Sequence, residues 1–192
     1  HAIEAFTSRN SNNNPISQFF AKEALTLLSR SIITAVNDGS QKTSRSEMLM
    51  GSMLAGIAFA NSPVAGVHAL AYPLGGIFCI PHGLSNSLVL PEILKFNSDV
   101  QETADAYAEL SKLVFPNLPA TGSTRKDALR FALQLKDLAS ELGLPVRLRD
   151  INIPEQACEQ LAKDAMKQTR LLVNNPREVL ESDALTIYRN SW

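Results

Sequence analysis

The chain has 192 residues, of which 45% are hydrophobic and 19% charged, the composition of an ordinary globular protein with a sizeable core. The 18 basic and 19 acidic residues give a net charge of −1 without a basic stripe, which argues against a nucleic-acid partner or an anionic membrane surface. The two cysteines, Cys79 and Cys158, do not suggest a disulfide framework, so we expect free thiols and a cytoplasmic protein.

Hydrophobic spacing predicts helices along nearly the whole chain. Asn14 followed by Pro15 marks the start of the first long helix, and Gly39 is a plausible end. A second helix is predicted over 44–61, with Glu47 in the position of a capping box. Because this second helix becomes apolar on all sides in its later turns, we expect it to be the most buried helix of the domain.

The next segment is short and contains a histidine. Pro63 opens it, His68 lies within it, and Pro73 is expected to end it. Residues 75–81 then read as an irregular connection, after which a new helix begins near His82.

The remainder of the chain is also predicted to be helical. Only 144–153 looks extended, and no βαβ rhythm appears. The sequence therefore predicts an all-α, multi-helix bundle domain of about seven to nine helices. The later helices are expected at about 99–115, 124–142, 154–174 and 182–190.

The chain has three histidines, His1, His68 and His82, and the last two lie among small and apolar residues. A buried imidazole needs a hydrogen-bond partner or a metal to offset the cost of burial. Taken singly, each histidine reads most simply as a hydrogen-bonded core residue. Three histidines without another obvious polar centre indicate one shared site.

The stretch from Ala55 to Pro91 is similar to the signature of the iron-dependent (group III) alcohol dehydrogenases, in which small residues, two histidines, and Gly and Pro residues recur at fixed spacing. The opening His1-Ala2-Ile3-Glu4-Ala5 and the later Asn175-Pro176-Arg177 match two further motifs of that family. The matching residues of the long stretch are Ala55, Gly56, Ala58, Phe59, Asn61, Gly66, His68, Ala69, Ala71, Tyr72, Leu74, Gly75, Gly76, Pro81, His82, Gly83, Asn86, Leu90 and Pro91, with Ser87 in place of the usual Ala.

The resemblance implies a fold, a metal and a reaction. Residues 1–192 would form the C-terminal helical domain, of the dehydroquinate synthase-like kind, and the nucleotide-binding N-terminal domain would lie outside this sequence. His1, His68 and His82 would be three of four ligands to Fe²⁺, or to Zn²⁺, the fourth being an aspartate four residues before His1. The implied reaction is hydride transfer between a small alcohol or aldehyde and NAD or NADP.

The resemblance also implies properties of the whole protein. The full-length parent would be a homo-oligomer, and the nicotinamide cofactor would be bound mainly by the N-terminal domain. We therefore expect this chain alone to be inactive and to hold little metal.

Other residues take roles only through the resemblance. Tyr72 stands where family members carry His or Tyr near the nicotinamide and is the catalytic candidate, while Phe59 and Val64 would line the substrate and cofactor pocket. Each also has a simpler interpretation as a packing residue. Glu4, three residues after His1, is either a partner of a metal ligand or a solvated or capping carboxylate, and Arg177 in its motif is expected to serve structure.

Two other functions remain open from the sequence. A polyol or hydroxyacid dehydrogenase, or a maleylacetate reductase, would use the same scaffold. A helical metal-binding protein without enzymatic activity is the alternative of another class, and it would need a complete ligand set within this chain.

Overall fold

Helices account for all the regular structure of the computed structural model, which describes residues 1–192 and contains no β-strand. The predicted all-α class is confirmed, with ten α-helices rather than seven to nine and one 3₁₀ turn, Leu148–Ile151. In chain order the helices are α1 (Ala2–Thr7), α2 (Pro15–Asn37), α3 (Lys42–Asn61), α4 (Gly66–Phe78), α5 (His82–Asn97), α6 (Gln101–Val114), α7 (Thr124–Glu141), α8 (Ala157–Ala165), α9 (Thr169–Leu172) and α10 (Glu181–Ser191).

The start of α2 follows from its local sequence. The Asn14 side chain accepts hydrogen bonds from two backbone N–H groups of the first turn, including that of Ser17 at 3.2 Å. The Ser17 hydroxyl in turn accepts from the backbone N–H of Asn14 at 3.0 Å. With Pro15 in the first helical position, this reciprocal cap fixes the predicted boundary.

The capping box predicted for α3 does not form. The helix begins at Lys42 without a side-chain cap, and Glu47 instead binds Arg30 and Ser31 on α2. The prediction was wrong because Glu47 ties the α2–α3 hairpin together across 16 to 17 residues of chain.

The prediction that α3 is the most buried helix is also wrong. Only its small residues, Gly51, Ala55 and Ala58, are buried, whereas Leu49 is 75% and Met53 51% exposed. The small residues let α3 pack closely on its neighbours α1 and α2, but nothing in this chain covers its other face. When a helix is apolar on all sides, its sequence does not show which face packs against other helices.

The histidine-bearing helix α4 is longer than predicted and more buried than α3. It passes through Pro73 and continues to Phe78, so that only three residues separate it from α5. Pro73 removes one backbone hydrogen bond. Burial of eight of the helix's thirteen residues offsets that loss, since tertiary packing supplies most helical stability.

The helix predicted over 154–174 is divided into α8 and α9. Between them the N–H groups of Lys167 and Gln168 bond to carbonyls three residues back, which tightens and ends α8. The turn brings Leu171 and Leu172 into the core against α4.

Two clusters of buried apolar side chains form the core. One joins α4 and α5 to α8, α9 and α10, and the other joins α1, α2 and α3 to α6 and α7. Phe59 and Leu90 pack against both clusters. The three histidines lie where α1, α4 and α5 meet, at the junction of the two halves. No single helix is long and apolar enough to cross a bilayer, although α3 and α4 taken together pass by length and composition with a bend of 108° between them.

Candidate metal centre

Three different helices bring the histidines to one place. His1 precedes α1, His68 lies in the first turn of α4, and His82 is the first residue of α5. The three-residue connection after α4 places the start of α5 beside the end of α4, and the packing of the two helices against each other brings His82 to His68. His68 is 3% exposed, while His1 and His82 are exposed to solvent.

The imidazole nitrogens of the three residues converge. One ring nitrogen from each histidine lies within 4.8 Å of the other two. Nε2 of His68 is 3.2 Å from Nε2 of His1. The ring centres of His68 and His82 are 5.2 Å apart, and those of His1 and His82 are 6.3 Å apart.

Asn86 completes the cluster on the α5 side. It lies one turn after His82, and its amide nitrogen is 3.1 Å from Nε2 of His82 and 3.5 Å from Nε2 of His68. Its Oδ1 atom is buried without a hydrogen-bond partner. The sequence analysis gave Asn86 no role, although its spacing of four residues from His82 places both on one helix face.

The donor set fits a divalent transition metal. Two nitrogens bound to one tetrahedral ion at about 2.0–2.1 Å lie about 3.3 Å apart, close to the observed 3.2 Å between His1 and His68. Partial burial and the neighbouring His68 lower the pKa of His82, which favours the neutral imidazole that a metal requires. Imidazole nitrogens suit both Fe²⁺ and Zn²⁺. Cys79, the other soft donor in this region, is exposed and lies outside the cluster.

Two aromatic residues flank the histidines. The ring of Phe59, near the end of α3, stacks on His1 with 4.5 Å between ring centres. Tyr72 lies one turn after His68 on α4, is 40% exposed, and has its ring centre 6.1 Å from that of His82. Val64 differs from both, because its side chain is buried in the core at 8% exposure. Its predicted contact with substrate or cofactor stays a prediction.

A cavity of about 360 Å³ opens beside the cluster. Its walls are mostly apolar and come from helices far apart in the sequence, including α7, which no local signal linked to the histidines. It is lined by His1, Ile3, Glu4, Ile32, Val67, His68, His82, Gly83, Asn86, Ser87, Leu90, Pro91, Leu135, Leu138, Ala139, Leu142 and Leu144.

The Asn175-Pro176-Arg177 motif packs against the start of α4 and the end of α5 and is not part of the histidine cluster. Arg177 donates to the carbonyl of Phe96 at 2.9 Å and to Asp99 at 2.8 Å, near the end of α5. Asn175 lies against Gly66, the first residue of α4. These contacts agree with the structural role expected for the motif.

Comparison with known proteins gives consistent matches over the whole chain. The sequence profile described as "Fe-containing alcohol dehydrogenase family, C-terminal" matches residues 1–192. The chain is 42% identical over 194 aligned residues to long-chain-alcohol dehydrogenase 1 of Geobacillus thermodenitrificans, covering 100% of this chain and 47% of that protein. It is 28% identical over 191 aligned residues to an NAD-dependent methanol dehydrogenase of Bacillus methanolicus, covering 100% and 49%.

A solved structure agrees with these matches. The crystal structure of a 1,3-propanediol oxidoreductase superposes with a TM-score of 0.91 at 32% identity, covering 100% of this chain and 49% of that one. The chain therefore spans about half the length of the relatives it matches.

Proposed function

Since the chain belongs to the iron-containing alcohol dehydrogenase family, we propose that it is the metal-binding part of a metal- and NAD(P)-dependent alcohol dehydrogenase about twice its length. One observation carries the proposal: three imidazole nitrogens, from three separate helices, lie within 4.8 Å of one another. Members of this family are oxidoreductases, and this cluster is where the chain offers donors for the family's metal.

His1, His68 and His82 would hold the ion, Fe²⁺ or Zn²⁺. Bound there, the ion would act as a Lewis acid that polarises the alcohol oxygen and lowers its pKa. His68 supplies a nearly buried donor whose ring is held by protein contacts, whereas His1 and His82 supply donors at the solvent-exposed side. The exposed side leaves room for a substrate oxygen and a further ligand.

The remaining residues of the site would orient substrate and move the proton. In the proposed oxidation, a bound nicotinamide would supply the hydride acceptor for the alcohol carbon, and the proton of the alcohol oxygen would have to leave the site. Tyr72, partly exposed with its ring centre 6.1 Å from that of His82, would relay that proton toward solvent or hydrogen-bond the cofactor. Phe59, which stacks on His1 but does not line the cavity, would border the substrate at the metal, and Val64 would touch the substrate or cofactor. The segment outside this sequence would bind most of the nucleotide.

The cavity favours an alcohol or aldehyde with an aliphatic chain. Its volume of about 360 Å³ is within the usual range for small-molecule sites and corresponds to on the order of ten water-sized groups. Apart from Glu4, Asn86, Ser87 and the histidines, its lining is apolar or glycine, so it offers few partners to the additional hydroxyls of a polyol. The relative at 42% identity is named for long-chain alcohols.

The test uses the full-length protein loaded with Fe²⁺ or with Zn²⁺. We expect reduction of NAD⁺ or NADP⁺ with aliphatic alcohols, loss of that activity on chelation and on His82→Ala, and recovery when metal is returned to the wild type. Tyr72→Phe should retain the metal while lowering turnover by about 10²-fold or more if the hydroxyl carries the proton. A protein that binds the metal but reduces no nicotinamide with any alcohol would be a non-enzymatic metal-binding protein.

A further inference from the structure

Glu4 makes two short contacts to α4 with its two carboxylate oxygens. Oε2 lies 2.5 Å from Nδ1 of His68, and Oε1 accepts a hydrogen bond from the backbone N–H of Val67 at 2.6 Å. Both partners lie in the first turn of α4, 63 and 64 residues away in sequence. One side chain of α1 therefore holds both the start of α4 and the ring of its histidine.

The burial of Glu4 makes these contacts costly to lose. The residue is 6% exposed, and no lysine or arginine pairs with it. A buried carboxylate is tolerated only when its oxygens are hydrogen-bonded. The first turn of a helix offers unpaired N–H groups and the positive end of the helix dipole, and Glu4 uses both. Glu4 is therefore not a solvated surface carboxylate.

The geometry fixes the tautomer of His68. A carboxylate oxygen can only accept a hydrogen bond, so the short contact requires the proton on Nδ1. In the neutral ring the lone pair is then on Nε2. That nitrogen faces Nε2 of His1 at 3.2 Å, inside the cluster.

We propose that Glu4 is the positioning residue of the metal centre: it holds His68 in the Nδ1–H tautomer so that the Nε2 lone pair points at the ion. This inference rests on the proposed metal site and deepens it. A carboxylate behind a histidine ligand also raises the basicity of the ligand, and removal of such a partner lowers metal affinity by about 10- to 100-fold.

The decisive variant is Glu4→Gln, because glutamine has the same shape. If its oxygen keeps the Val67 N–H, its NH₂ group faces Nδ1 of His68 and donates to it. That donation favours the opposite tautomer, with the lone pair turned away from the cluster. The control is Glu92→Gln on α5, since Glu92 is also a nearly buried carboxylate at 9% exposure, but its side-chain partner is Lys95 and not a histidine.

Two measurements on the full-length protein test the proposal. The first is the histidine ¹⁵N NMR spectrum of the metal-free protein, recorded above the titration range of histidine. His68 should show the Nδ1–H pattern in the wild type and in Glu92→Gln, and the Nε2–H pattern in Glu4→Gln. An Nε2–H pattern in the wild type would overturn the proposal without any variant.

The second measurement is the affinity for Zn²⁺, by competition with a chromophoric chelator, together with the visible spectrum of bound Co²⁺. Glu4→Gln should bind Zn²⁺ about 10- to 100-fold more weakly, with an altered Co²⁺ spectrum, while Glu92→Gln matches the wild type. If Glu4→Gln loses thermal stability but keeps the wild-type affinity and spectrum, Glu4 has only a structural role. Failure of the wild type itself to bind Zn²⁺ or Co²⁺ would instead contradict the proposed function.

Discussion

Asn97 and Asn175 exchange two buried amide hydrogen bonds, with the Nδ2 of each donating to the Oδ1 of the other at 3.1 and 2.8 Å. The pair joins the last residue of α5 to the segment that follows α9. Asn175 also contacts the start of α4 at Gly66, two residues before His68. The sequence motif around Asn175 therefore fixes the start of the helix that carries His68, the buried member of the histidine cluster.

Removing one member of this pair should destabilise the protein. Asn175→Ala leaves the buried Oδ1 of Asn97 without its donor, while Nδ2 of Asn97 keeps the Tyr107 hydroxyl. The orphaned oxygen costs about 1–3 kcal/mol of unfolding free energy. Urea denaturation measures the change. Asn12→Ala, at an exposed position, is the control and should stay within about 0.5 kcal/mol of the wild type. Equal free energies of unfolding for Asn175→Ala and the wild type would show that the Asn97–Asn175 hydrogen bonds do not stabilise the fold.

Two glycine substitutions should have opposite effects. A Cβ on Gly66 would stand 2.7 Å from Oδ1 of Asn175, so Gly66→Ala should cost about 1–3 kcal/mol through overpacking. Gly56, within α3, has no atom within 4 Å of the same position. Gly56→Ala should therefore gain about 0.5–1 kcal/mol because alanine is the better helix former. Thermal unfolding of both variants tests the contrast, and a stabilising Gly66→Ala would contradict the close packing.

Cys79 ends α4 in a left-handed conformation, with φ of 54°. A residue with a Cβ is strained there, whereas glycine is not. Cys79→Gly should therefore raise the free energy of unfolding by about 1 kcal/mol. Cys79→Ala is the matched control, since it removes the thiol but keeps the Cβ, and should give no such gain. Equal effects of the two variants would assign the change to the thiol rather than to the backbone.

Local signals predicted much of the fold. The Asn14–Pro15 cap and the apolar spacing of α2 lie within one segment, so the sequence contains the whole interaction. The assignment of His1, His68 and His82 as metal ligands came from the family motifs, and it stays a prediction. Their convergence was predicted from the absence of another polar centre and from that resemblance, and the structure brings one ring nitrogen of each within 4.8 Å of the others.

The wrong predictions concern features that depend on contacts with other segments of the chain. Glu47 hydrogen-bonds to Arg30 and Ser31 on α2 instead of capping α3. Helix α4 continues through Pro73 because its apolar residues are buried. No periodicity shows that Glu4 reaches the start of α4, or that Leu138 of α7 faces the histidines. These contacts join segments dozens of residues apart and depend on the packed helices.

The cavity beside the histidines should set the preferred chain length of the alcohol. Each buried methylene contributes about 0.8 kcal/mol, so kcat/KM should rise about fourfold per carbon until the cavity is full. Leu138→Trp in the full-length protein should fill part of the cavity and lower kcat/KM for long alcohols by about tenfold or more, while sparing ethanol. Leu133→Trp, on the same helix at an exposed position, should leave the profile unchanged. A profile unaffected by Leu138→Trp would place the alkyl chain elsewhere.

The most direct test of the proposed metal centre is a Zn²⁺ titration of the full-length protein and of its His82→Ala variant, followed by calorimetry and by X-ray absorption of the bound ion. His82 is exposed and outside the core, so the variant should keep the fold, as circular dichroism would verify. We predict one ion per full-length wild-type protein, with nitrogen ligands at about 2.0–2.1 Å. The variant should lose affinity by about 100-fold or more, since a direct ligand should count for at least as much as the outer-shell partners whose removal costs about 10- to 100-fold. The same stoichiometry and affinity in His82→Ala would contradict the central claim that the three histidines share one metal.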